Sequence, residues 1–75
     1  MTSRLTSAIH LALLDARPRG LTAQGVTAYV HRAIPGTRHA TVSTELARLV
    51  AIGAVTQFRK PHLPARYKYR YKIRS

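Results

Sequence analysis

The sequence predicts one α+β domain over residues 1–75: three short helices, then a two-stranded antiparallel β-hairpin. Two observations predict it. Up to residue 52 the apolar residues recur with helical spacing, in three blocks separated by Pro–Gly punctuation. Past Gly53 the period changes to two. The stretch RYKYRYKIRS shows this best: Tyr67, Tyr69, Tyr71 and Ile73 take one parity, and Arg66, Lys68, Arg70, Lys72 and Arg74 the other. Strand side chains alternate between faces, so this segment is written as a strand with an aromatic face and a cationic face.

The first helix spans about residues 3–16. Leu5, Ile9, Ala12, Leu13 and Ala16 share one helical face. Thr2 or Ser3 caps its start, and Pro18 and Gly20 stop it. The second helix runs from about 23 to 33. Thr22 is its N-cap, Leu21 staples onto Val26, and Val26, Val30 and Ala33 form the apolar stripe. Gly25 inside this helix costs about 1 kcal/mol relative to alanine, so it marks a close approach or a weak helix. Pro35–Gly36 ends it. The third helix runs from about 38 to 52, with Thr37 as N-cap, Val42, Leu46, Leu49 and Val50 buried, and Gly53 as the stop. The hairpin occupies about 54–73, with strands at about 54–59 and 66–73. Val55 and Phe58 face inward, the tyrosines pack on the first and third helices, and the segment with Pro61 and Pro64 forms the loop.

Charge narrows the function. Thirteen Lys and Arg face two acids, Asp15 and Glu45, for a net +11. Residues 1–37 carry four arginines and one acid, whereas residues 38–75 carry nine Lys or Arg and one acid. Self-repulsion on this scale destabilises a compact chain, so a polyanion is the expected partner. Cysteine is absent and His10, His31, His39 and His62 are scattered, so no metal site is expected. The two carboxylates lie on different helices, and no phosphate-binding glycine loop or activated nucleophile is present, so neither an enzyme nor a cofactor is expected. The apolar run Ala8–Leu14 contains His10 and is too short to span a bilayer. The expected location is cytoplasmic and nucleoid-associated, with no membrane or small-molecule ligand.

The stretch Thr41–Val42–Ser43–Thr44–Glu45–Leu46–Ala47–Arg48–Leu49, followed by Ile52–Gly53–Ala54–Val55, has the pattern T-V-S-x-x-L-x-x-L-x-x-x-G-x-V. With Leu21–Thr22 opening the second helix and Ile34–Pro35–Gly36 as the turn, it resembles the winged helix-turn-helix domain of MarR- and ArsR-type bacterial regulators. The resemblance covers about residues 5–73. It implies that the third helix enters the major groove of double-stranded DNA and that the hairpin, as the wing, follows the phosphates. With Val42, Leu46 and Leu49 inward, the outward arc holds Thr37, Thr41, Thr44, Ala47 and Arg48. The base-reading candidates are Arg38, His39, Thr41, Thr44 and Arg48. By strict helical angle Arg38 falls on the inner side and has to reach around. Thr22 and Thr37 are the backbone contacts at the starts of the second and third helices. Arg59, Lys60, His62, Arg66, Lys68 and Arg70 are the wing contacts. The expected protein is a small transcriptional regulator, its minimal size suiting one of phage or plasmid type, as a monomer or as a homodimer or cooperative oligomer on DNA.

Plainer readings stay open for the same residues. The tyrosines stack single-stranded bases if they are not core. The basic strand face is a solvated, charge-protected edge. Arg48 pairs with Glu45 on the surface. Two other functions also fit: a charge-driven DNA- or RNA-binding architectural protein, and a winged-helix module that docks on an acidic protein.

Overall fold

In a computed structural model, residues 3–17, 19–59 and 69–73 are described. They form α1 (Arg4–Asp15), α2 (Ala23–Ala33), α3 (His39–Ala51), β1 (Val55–Arg59) and β2 (Tyr69–Ile73). The chain is therefore α+β, with three helices followed by an antiparallel two-stranded hairpin.

Local chemistry sets the helix starts. The Ser3 hydroxyl accepts from the Thr6 amide at 3.0 Å, and the Thr22 hydroxyl accepts from the Gly25 amide at 3.1 Å. Each satisfies an amide that has no partner within its helix. The third start differs from expectation. Arg38, not Thr37, occupies the N-cap, and it makes no side-chain cap bond. The Thr37 hydroxyl instead donates back to the Ile34 carbonyl at 2.7 Å and tightens the α2–α3 turn.

The core lies where the three helices meet. Ile9, Leu13, Val26, Val30, Val42 and Leu46 are fully buried, and Ala8, Ala12, Leu49 and Val55 complete it. No polar or charged side chain is buried among the described residues. Leu5, Val50, Tyr71 and Ile73 pack against its margin. Ala33, the last residue of α2, is exposed rather than part of the buried stripe.

β1 and β2 pair in the register Val55↔Ile73, Gln57↔Tyr71 and Arg59↔Tyr69. Residues directly opposite share a face. One face thus carries Val55, Gln57, Arg59, Tyr69, Tyr71 and Ile73, and the other Thr56, Phe58, Arg70 and Lys72. Phe58 is on the face opposite Val55 and does not point into the core. It lies half-buried beneath Lys72, whose Nζ is 4.9 Å from its ring centroid. The tyrosine face leaves the core gradually: Tyr71 packs against it, while Tyr69 is 44 % exposed. β2, which carries Tyr69 and Tyr71, lies against α1 and α2 rather than against the first and third helices as expected, and β1 takes the place against α3.

Leu21 adds a third rung to the hairpin. Its amide donates to the Tyr71 carbonyl at 2.9 Å, and the Tyr71 amide donates back at 2.7 Å. Tyr71 therefore spends its backbone groups on Leu21 and meets Gln57 as a non-hydrogen-bonded pair, the closer kind for side chains. Gln57 Nε2 donates to the Tyr71 hydroxyl at 3.1 Å. This rung ties the α1–α2 connection to the C-terminal strand. Leu21 also explains Gly25, since a Cβ there would sit 3.2 Å from Leu21 Cδ2. The helix accepts a glycine because a side chain packs close.

Candidate nucleic-acid interface

The inner face of α3 is consumed by Val42, Leu46 and Leu49, with Val50 at its margin and Glu45 tied to α1, and the opposite face is exposed. At 1.5 Å per residue the helix is about 20 Å long. His39, Ala40, Thr41, Thr44, Ala47, Arg48 and Ala51 are exposed along it. Most are small, so the backbone of α3 can approach a surface closely. The Thr44 hydroxyl donates to the Ala40 carbonyl at 2.9 Å, which leaves its oxygen able to accept. The His39 ring lies 3.5 Å from the Ser43 hydroxyl. Arg38 stands just outside the helix on an extended backbone, φ −90° and ψ 150°. Helical angles do not apply to it there, and its side chain is exposed.

Arg48 is paired. Its Nε and Nη2 donate to the two carboxylate oxygens of Glu45, the second at 3.1 Å. The Thr6 hydroxyl of α1 donates to the same carboxylate. The bonds from Arg48 and then Thr6 hold the Glu45 carboxyl below the usual carboxylate range, against a smaller opposing effect of burial. Glu45 is thus charged at neutral pH and ties the edge of α3 to the first turn of α1. The i, i+3 spacing of Glu45 and Arg48 was visible in the sequence, but nothing in it pointed to Thr6.

The other candidates are placed unevenly. Thr22 and Thr37 are half-buried and engaged in the cap and turn bonds described above. Arg59 is exposed, with its guanidinium carbon 6.0 Å from the Tyr69 ring centroid. Arg70 is half-buried. Its Nη1 donates to the Gly20 carbonyl at 3.3 Å, so it braces the rung between the α1–α2 connection and β2. Lys60, His62, Arg66 and Lys68 lie outside the described residues. Lys72, over Phe58, joins the cationic face.

Both acids of the chain are engaged, Glu45 as above and Asp15 by the Tyr29 hydroxyl at 3.3 Å. Arg48 is the one described cation with a carboxylate partner. Among the described residues Arg4, Arg17, Arg19, Arg32, Arg38, Arg59, Arg70 and Lys72 have no carboxylate partner, so their charge is not neutralised there. Among the described residues, no cluster of three or more metal-ligating groups forms, and no helix is long and apolar enough to cross a membrane. No protein-family model matches the chain, and a search of curated proteins finds no match.

Proposed function

We propose that this chain is a winged helix-turn-helix protein that binds double-stranded DNA and regulates transcription. α3 lies in the major groove and the hairpin follows the phosphates. The observation that carries this reading is the outer face of α3: small, hydroxyl-bearing, edged by Arg38, His39 and Arg48, on a helix whose inner face is fixed by the core. An α-helix of this kind fits the major groove, where hydroxyls, methyls and guanidinium groups distinguish base pairs. Thr44 offers an acceptor and a methyl. Arg38 and His39 stand at the end of the helix that enters the groove. Arg59 and Lys72 supply charge from the hairpin. Phosphate contacts set the register and a few side chains read sequence.

The electrostatic part is tested by the salt dependence of binding to a duplex. Affinity should fall steeply between about 50 and 200 mM salt, as expected when several phosphates are neutralised. Arg59→Ala should weaken all duplexes alike and lower the salt slope by about one unit. An unchanged slope would place Arg59 in solvent, and salt-independent binding would contradict the proposal.

A further inference from the structure

We infer that Glu45 is a positioning residue for sequence reading: with Thr6 it holds the Arg48 guanidinium from one side, so that the opposite edge meets a guanine in the major groove. The inference rests on the function proposed above. Its basis is which nitrogens are used. A guanidinium carries five N–H donors in a rigid fork. Glu45 takes one from Nε and one from Nη2, the side-on edge. The Nη1 amino group makes no hydrogen bond among the described residues. It and the remaining Nη2 hydrogen form the end-on edge, which has the spacing to donate to guanine O6 and N7 together.

Exposure follows the same division. The Glu45 side chain is 12 % exposed and that of Arg48 is 53 % exposed. The carboxylate lies against the body of the protein, and the guanidinium projects beyond it. Glu45 is fixed in turn by the Thr6 hydroxyl, so a chain of contacts runs from the first turn of α1 to the edge of α3. A solvated arginine loses rotamer freedom when it binds a base. The two bonds to Glu45 restrict Arg48 before it meets a base. The carboxylate also opposes loose phosphate binding, because it adds negative charge beside the groove. Glu45 therefore favours the matched site in two ways: it orients the donor, and it penalises DNA that offers only phosphates.

The test is competitive binding of the full chain to a duplex selected from a random pool, to its single-base variants and to an unrelated duplex. The wild type should prefer guanine at one position by about tenfold or more, and Arg48→Ala should abolish that preference. Glu45→Gln should reduce the same preference severalfold while leaving affinity for the unrelated duplex unchanged or higher. Thr6→Val should move preference in the same direction by less. Circular dichroism melts of each variant control for folding, because a chain of net charge +11 binds unrelated DNA through charge whether folded or not. If Glu45→Gln keeps the full preference that Arg48→Ala loses, or weakens every duplex equally, the inference is overturned while the DNA-reading function stands. A wild type with no preference at any position overturns both.

Discussion

Replacing Leu46 with alanine should leave a large fraction of the chain unfolded at 37 °C. Leu46 sits on α3 with no exposed surface, facing Ile9, Leu13, Val26 and Val30 across an entirely aliphatic core. A buried Leu→Ala change costs about 2.7–5 kcal/mol, depending on how far the surroundings collapse. A chain of this size has a total stability of roughly 4–11 kcal/mol at typical values per residue. The net charge of +11 pulls it toward the lower end through self-repulsion. The melting temperature should fall by about 10 °C or more, at roughly 4–8 °C per kcal/mol for a domain this small. Leu11→Ala, on the exposed side of α1, should change stability by no more than about 0.5 kcal/mol. Thermal melts followed by circular dichroism compare them, and similar losses from both would contradict the assignment of the core.

Gly20→Ala should be the second most damaging substitution, for a backbone reason. Gly20 has φ +75°, a conformation that costs an L-residue about 1–2 kcal/mol. A Cβ there would also lie 2.5 Å from the Tyr71 carbonyl oxygen. That oxygen accepts the Leu21 amide, so relieving the clash means opening the rung that joins β2 to the α1–α2 connection. A broken buried hydrogen bond adds roughly 1–3 kcal/mol. Gly36 is the comparison, because it has φ +87° and no atom within 4 Å of an added Cβ. Gly36→Ala should therefore show the conformational cost alone. Urea melts separate the two. Equal losses would mean that the close approach at Gly20 contributes nothing.

What the sequence revealed tracks how local the signal was. Thr22 and Pro35–Gly36 fixed α2 because a cap and a breaker act within a few residues. The alternation after Gly53 fixed the hairpin and separated Tyr69 and Tyr71 from Arg70 and Lys72. Contacts between distant segments were not legible. The Leu21–Tyr71 rung, the Arg70 bond to Gly20 and the Thr6–Glu45 bond join residues with no shared period. Phe58 faces away from Val55 because the two are three residues apart on one strand, and strict alternation puts them on opposite faces. Thr37 does not cap α3 because the helix starts one residue later, with Arg38 at the N-cap, and the Thr37 hydroxyl donates back to the Ile34 carbonyl.

These long-range contacts shape the candidate site more than the composition does. Arg70 becomes a brace for the hairpin, and Arg48 is held in place by Glu45. Arg38 at the N-cap, His39, Thr41 and Thr44 on α3, and Arg59 on the hairpin are exposed, with His39, Thr44 and Arg59 engaged only by neighbours on their own element or hairpin. Cation–aromatic contacts at Phe58 and Tyr69 give the strand cations a fixed origin, and such contacts at exposed sites are worth about 0.5–1 kcal/mol each.

The most direct measurement of the central claim is selection of binding sites from a random duplex DNA pool at low and moderate salt, with sequencing of what is retained. The expected result is a short motif that survives the higher salt and includes a guanine whose preference depends on Arg48. Retention that is lost with salt and carries no motif, or no retention at all, would contradict sequence reading by α3.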